Sequence, residues 1–340
     1  MLKRSFLSTE DWADEEILAL LDEAAELKAN PRTPSILDGR ILALIFFDPS
    51  LRTRASFEVA MAKEGGRAVV LEPGKGSWAI ETRRGVVMDG DKAEHLIEAA
   101  RVLGRYADAL GVRSFPREAT WAEARRDNVL RGFADYAGVP VINMESARRH
   151  PCQGLADAMT LRERLGRNLE RRRFVLAWAW HPKALPVAVP NSAAIAAATI
   201  GMDVTIAHPP GFDLDPDDLA TVTTIAARRG GRVEVVHDLD AAVAGADAVY
   251  AKSWGNLAAF GDAPREASLR KDLRGWIVNE DRMRATAGGS GIFLHCLPVR
   301  RGVEVTDGVL DGAWSAAVDE AENRMYVQRA LLRRVLGGRA

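Results

Sequence analysis

Ser50, Leu51, Arg52, Thr53 and Arg54 place two hydroxyls and two guanidinium groups directly after the apolar run 41–47. Phe57, Ala60 and Met61 follow at helical spacing. A buried strand that delivers hydroxyls, cations and backbone N–H groups to a helix start builds a grip for a phosphate, because the helix macrodipole favours an anion there. An ordinary N-cap at Ser50 with two solvated arginines fits the same residues. Two further stretches carry reactive side chains: His150-Pro151-Cys152-Gln153-Gly154-Leu155-Ala156-Asp157, and His295-Cys296-Leu297-Pro298. His150 alone reads more readily as a hydrogen-bonded core histidine.

In that order, SxRTRxSFE, HPxQxLxD and HCLP resemble the motifs of the aspartate/ornithine carbamoyltransferase family, and the resemblance spans essentially the whole chain. It implies transfer of a carbamoyl group from carbamoyl phosphate to an amine. Ser50, the Leu51 N–H, Arg52 and Thr53 then hold the phosphate, while Arg113 and His150 join Thr53 at the carbamoyl oxygen. Donors preorganised at a developing oxyanion are each worth about 3–4 kcal/mol. Gln153 and the Leu297 backbone carbonyl hold the carbamoyl NH₂, and Arg324, in Glu322-Asn323-Arg324, closes on the ligand from the last helix. Cys296 packs on the δ-amine side and completes a catalytic set with Thr53, Arg113 and His150; no acyl-enzyme is required. The departing phosphate can accept the amine proton, so no dedicated base, organic cofactor or metal is expected.

Gly74-Lys75-Gly76-Ser77-Trp78 lacks full P-loop spacing, and no helix follows at once. In the resembling family this loop reaches into a neighbouring subunit, which implies a homotrimer with Trp78 completing an adjacent carbamoyl-phosphate pocket. Local packing of Trp78 is the alternative.

HCLP resembles the ornithine side of the family. Ornithine enzymes, however, carry an aspartate that pairs with the substrate α-ammonium, whereas the comparable stretch here is Tyr250-Ala251-Lys252-Ser253-Trp254-Gly255. A lysine there repels an α-ammonium but pairs with an α-carboxylate once the α-nitrogen is acylated. Asn143-Met144-Glu145, Trp180-His181-Pro182-Lys183 and Arg300-Arg301 resemble the branch acting on N-acetylornithine, which implies that Glu145, His181, Lys252, Arg300 and Cys296 contact the N-acylornithine. Ala93 departs from it. Acetyl-specific members tend to have glutamate at that position and succinyl-specific ones proline; Ala93 repels no extra carboxylate, and Lys92 could attract one. The wider match favours acetyl, giving N-acetylcitrulline and phosphate in arginine biosynthesis. The N-succinylornithine and ornithine enzymes stand next, and a carbamoyl-phosphate-binding pseudoenzyme is the non-catalytic alternative.

These groups need a scaffold of strands ending in loops. The 340 residues, 47% hydrophobic and 27% charged, suit two globular domains. A net charge of -1 gives no electrostatic case for nucleic acid or membrane partners. Two cysteines, with neither CxxC nor HExxH, fit a reducing, cytoplasmic setting without metal or disulfides. A helix is expected from Thr9, strands at 41–47, 68–71, 110–113 and 139–144, and helices from Ser50 to Gly65-Gly66 and from Ala93. The second half shows strand patterns at 174–180, 203–207, 233–236, 248–252, 276–278 and 292–295. Its helices are expected at 191–200, 216–228 and 320–335, the last stopping at Gly337-Gly338. Between 181 and 190 three prolines predict a stiff extended connection, which the resemblance marks as part of a knotted backbone. The expected class is α/β: two doubly wound parallel sheets joined by helices. The carbamoyl-phosphate domain is expected at 1–149, with 322–340 packing back on it, and the N-acylornithine domain at 150–321. No GxGxxG follows the first strand, so a dinucleotide-binding module is disfavoured.

Overall fold

Ile41–Phe46 is apolar on both faces, and Leu42 to Phe46 are all buried, as the centre of a parallel sheet requires. The computed structural model describes residues 4–30 and 32–337. Positions 1–3 of the first expected domain, Gly338 of the expected helix stop and the tail 338–340 lie outside them. The first sheet runs Arg67–Leu71, Ile41–Phe46, Ala109–Arg113, Val141–Glu145, all parallel. The second runs Ile292–Leu294, Ala248–Lys252, Arg173–Trp178, Asp203–Ala207, Val233–Val236, again parallel. The expected α/β class with two parallel sheets is what forms.

Each sheet has one place where the strand order reverses, and ligands of open α/β sheets gather at the carboxyl ends flanking it. In the first sheet the reversal lies between Ile41–Phe46 and Ala109–Arg113, whose ends lead to residues 50–54 and to Arg113 itself. In the second it lies between Arg173–Trp178 and Ala248–Lys252, whose ends lead to His181 and to Lys252. Topology thus selects the same residues as the motifs.

The chain forms two compact units. One comprises the described residues of Met1–Arg117, Ala124–Cys152 and Arg324–Ala340; the other comprises Glu118–Glu123 and Gln153–Asn323. Both divisions near the motifs fall inside helices, Pro151–Leu165 and Ala317–Leu336. The last helix is anchored in the first unit by the fully buried Glu64, whose two carboxylate oxygens accept Arg329 Nε and Arg333 Nε at 2.8 Å each.

Four local expectations change. Thr9–Asp11 is a separate 3-10 turn, because the Asp11 carboxylate folds back onto the Ser8 N–H at 3.1 Å; the α-helix runs Asp14–Ala29. The helix expected from Ala93 begins at Leu96, since His95 Nδ1 caps the Ile97 N–H at 3.2 Å and Glu94–His95 pairs with Ile80–Glu81. Residues 276–278 make only an isolated bridge, Val278 to Val305. Asn279 caps the helix Glu280–Arg284 at once and leaves no length for a strand. The stiff connection ends early too: the helix Ala188–Thr199 takes Pro190 into its first turn, where no N–H is needed.

Candidate active site

The residues singled out from sequence divide into clusters, described unit by unit. In the first unit Ser50 is the N-cap of Leu51–Lys63, and its Oγ accepts the Thr53 N–H at 3.2 Å. That bond leaves the Ser50 O–H able to donate. The Leu51 N–H precedes the first helical bond, Arg54 N to Ser50 O at 3.3 Å. Thr53 is buried and its Oγ1 accepts Arg324 Nη2 at 2.9 Å, so the Thr53 hydroxyl proton is available for another acceptor.

Arg113 ends its strand, and its neighbour across the ladder is Glu145. The register slips by one residue between Val112 and Arg113, so Val112 faces Asn143 while Arg113 faces Glu145. Bulges re-aim side chains in this way beside active sites. The two form a buried ion pair, Arg113 Nη1 to Glu145 Oε2, with His150 Nε2 3.4 Å from the same oxygen. Asn143 holds the turn that follows. Its Oδ1 accepts the Glu145 N–H at 3.0 Å, and its Nδ2 donates to Leu7 O and Ser146 Oγ at 2.8 and 3.1 Å. Asp127 caps the turn from outside, accepting Ser146 Oγ–H and the Ala147 N–H at 2.8 and 2.7 Å.

Burial holds the His150 pKa well below the ordinary histidine value, helped by the charges of Arg324, Arg113 and Arg52. The imidazole is therefore neutral. Three guanidinium groups converge on it with one carboxylate, Glu145, to offset them, and the Nε atoms of Arg113 and Arg324 are buried with no hydrogen-bond partner among the described residues. Such a cluster is a receptor for an anion. Burial pushes the neighbouring Cys152 thiol up to about 12, against the opposing Arg324 charge, so Cys152 is an inert core residue.

In the second unit Lys252 ends its strand nearly buried, and its charge acts on both His181 and Glu304. Arg300 Nε donates to His181 Nε2 at 2.9 Å, and His181 Nδ1 lies 2.9 Å from Lys183 O and 3.0 Å from Lys183 N. Burial lowers the His181 pKa, and the Arg300 and Lys252 charges add to it. Glu304 Oε2 accepts the Arg300 N–H at 2.9 Å, and its Oε1 lies 3.5 Å from His295 Nε2. His295 Nδ1 accepts the Leu297 N–H at 2.9 Å, so its own proton sits on Nε2, facing Glu304. Leu297, at φ 54°, occupies the left-handed region, and this tight ring contact accompanies the bend of HCLP. The buried Cys296 is hydrogen bonded to Tyr250. Gln153 joins Asp157 and Glu320, also buried.

Burial would raise the Glu304 carboxyl, but the His295 hydrogen bond, the Lys252 charge and the Arg300 amide together hold it at about 2. A folded-state value below the ordinary 4.5 adds stability that is complete above pH 4.5 and disappears as pH falls toward 2. Glu304→Gln should therefore be less stable than the wild type by about 3 kcal/mol at pH 7. In urea melts that gap should narrow steadily below pH 4.5; a gap independent of pH would contradict the pairing.

Of the remaining residues, Glu145 lies with Arg113 and His150 in the first unit. Trp78 is 61% exposed and donates its indole N–H to Glu94 at 2.6 Å. Ala93 is exposed, and the adjacent Lys92 ammonium is 3.4 Å from Glu81. Sequence reading passed over Glu304, Glu320 and Asp127. Each is an acid in a stretch that looks solvated; the fold buries Glu304 and Glu320 and leaves Asp127 half-buried. Their sole signal was position, Glu304 four residues after Arg300 and Glu320 four before Arg324.

The family model described as aspartate/ornithine carbamoyltransferase, carbamoyl-P binding domain, matches residues 4–163, and that described as the Asp/Orn binding domain matches 185–335. An N-acetylornithine carbamoyltransferase from Xanthomonas campestris pv. campestris is 48% identical over 99% of this chain and 99% of its own length. An acetylornithine transcarbamylase solved with acetylcitrulline is 48% identical, with a TM-score of 0.95 over 99% of this chain and 100% of the other. A glutamate-to-alanine mutant of N-acetyl-L-ornithine transcarbamylase, solved with carbamyl phosphate and N-succinyl-L-norvaline, is 49% identical, with a TM-score of 0.94 over 98% of this chain and 99% of the other.

Proposed function

This chain belongs to the aspartate/ornithine carbamoyltransferase family, and from that premise we propose that it moves the carbamoyl group of carbamoyl phosphate onto the δ-amine of N-acetyl-L-ornithine. The products are N-acetyl-L-citrulline and phosphate. One observation supports this above the others: Arg52, Arg113 and Arg324 surround a neutral His150 beside the Ser50–Thr53 helix start, while a lysine stands at the switch point of the second sheet.

The first unit holds carbamoyl phosphate, and the second holds the amino acid. Ser50, Leu51 N–H, Arg52, Thr53 and Arg324 bind the phosphate. The Thr53 hydroxyl, Arg113 and a His150 N–H face the carbamoyl oxygen, and Gln153 and the Leu297 carbonyl face the carbamoyl nitrogen. The neutral δ-amine attacks the carbonyl carbon, a C–N bond forms and the oxygen gains charge. Collapse breaks the C–O bond to phosphate, and the departing phosphate takes the amine proton and leaves as the hydrogen phosphate dianion. A neutral His150 stabilises the oxyanion as a donor without taking part in proton transfer. Lys252 pairs with the α-carboxylate, His181 and Arg300 complete that end, Glu145 faces the amine side and Cys296 packs beside it. The chain works as a cytoplasmic homotrimer in which the exposed Trp78 serves a neighbouring copy. Among the described residues no helix is long and apolar enough to cross a membrane.

Ala93 favours a second reading, N-succinylornithine, because no carboxylate stands there to repel the succinyl group, and a relative with a glutamate removed was solved with a succinyl compound. Citrulline-type product measured with ornithine, N-acetylornithine and N-succinylornithine decides among the three. The expected order is acetyl, then succinyl, then ornithine; ornithine as the best substrate would refute the reading. Ala93→Glu should raise the acetyl-to-succinyl ratio of kcat/KM by about tenfold or more, a difference of about 1.4 kcal/mol.

A further inference from the structure

The motif that places Gln153 at the carbamoyl nitrogen leaves its amide two orientations, and only one helps. The nitrogen of the ligand is a donor, so Gln153 must offer Oε1. What decides the orientation is a buried pair of acids. Gln153 Nε2 donates to Asp157 Oδ1 at 2.8 Å and to Glu320 Oε1 at 2.6 Å, which uses both of its hydrogens. The reversed amide would set Oε1 against two carboxyl oxygens. Asp157 and Glu320 also face each other, and burial, with the Asp157 charge next, raises the Glu320 carboxyl well above its ordinary value. Glu320 is fixed in turn by the Tyr250 O–H at 3.3 Å and the His295 N–H at 3.0 Å. All four side chains, Gln153, Asp157, Tyr250 and Glu320, are fully buried or nearly so. Gln153 Oε1 is buried and has no hydrogen-bond partner among the described residues.

We propose that Asp157 and Glu320 are positioning residues that lock the Gln153 amide with Oε1 offered to the ligand, so that the site selects an acyl phosphate bearing NH₂ over one bearing CH₃. The inference rests on the carbamoyltransferase reading and adds to it a source of selectivity. A buried acceptor left without its donor penalises the wrong ligand, as in sites that reject an analogue lacking one N–H.

Carbamoyl phosphate and acetyl phosphate share the phosphate and the carbonyl and differ only in that group. The measurement is the dissociation constant of each, taken on the full chain and on two variants. The wild type should prefer carbamoyl phosphate, and Glu320→Ala should reduce that preference by at least about tenfold, because one acceptor for Nε2 is gone. General damage to the fold weakens both ligands alike and cancels in the ratio. Asp157→Asn keeps an acceptor for Gln153 and a donor for Glu320, so it should retain the preference within about threefold. An unchanged ratio in Glu320→Ala, or its loss in Asp157→Asn, would overturn the proposal. Should Glu320→Ala fail to fold, Gln-selective ¹⁵N spectra of the free wild type remain decisive: both Gln153 amide protons should exchange slowly with solvent, and fast exchange would rule the lock out. If the wild type binds neither acyl phosphate, the carbamoyltransferase reading fails, while the spectra still report on the lock.

Discussion

Arg113→Ala should lower kcat/KM by about a thousandfold or more, the largest effect expected for a single residue of the first unit. One donor at a developing oxyanion accounts for about 3–4 kcal/mol. A second penalty follows from the ion pair, because without Arg113 the buried Glu145 carboxylate presents an unbalanced charge close to where a phosphate dianion must bind. Stability should fall as well, by about 3–5 kcal/mol, the usual cost of leaving one member of a buried pair alone. Arg113→Ala with Glu145→Ala should recover most of the thermal stability and none of the turnover. Arg113→Lys keeps the charge but not the planar fork, and should stay at least tenfold below the wild type. Steady-state rates with both substrates saturating in turn, beside thermal melts of all four proteins, test this. Arg113→Ala activity within tenfold of the wild type would remove Arg113 from the mechanism.

Lys252→Ala should cost about a hundredfold in kcat/KM for N-acetylornithine, mostly through KM. Truncating one partner of a desolvated charge pair usually costs about 2–5 kcal/mol, and Lys252 is nearly buried at the strand end where the second sheet reverses. The same change should leave ornithine turnover level or raise it, because the repulsion between the lysine and a free α-ammonium disappears. The two substrates therefore move in opposite senses relative to each other. A general loss of structure cannot produce that pattern. Glu304 offers an internal control, since Lys252 is among the groups that lower its carboxyl. Its titration should shift upward in Lys252→Ala, toward the ordinary range. Equal losses on both substrates would sink the charge argument for an acylated α-nitrogen.

Strands could be read because they are short apolar runs, and all but 276–278 formed close to their expected positions. Starts of helices were less legible, since a cap is a local contest between side chains. Asp11 turned back onto Ser8, and His95 rather than Ala93 opened its helix. The phosphate-grip motif could be read as far as its N-cap, because Ser50 to Thr53 interact with one another over a single turn. Arg113 and Arg324 were legible only through the family resemblance. Nothing in their own neighbourhoods marks them, as Arg113 ends an unremarkable strand and Arg324 lies among other charged residues.

Local order in the chain therefore determined the residue types at the ends of the strands, the helix that follows Ser50 and, through three ordered motifs, the family. Which acid faces which base was decided only by the tertiary structure. The one-residue slip that sets Glu145 beside Arg113, the burial that neutralises His150, and the meeting of Asp157 with Glu320 across 163 positions all depend on desolvation. The cost of burying a charge depends on what the rest of the chain brings around it, and that is a property of packing that no short stretch of residues contains.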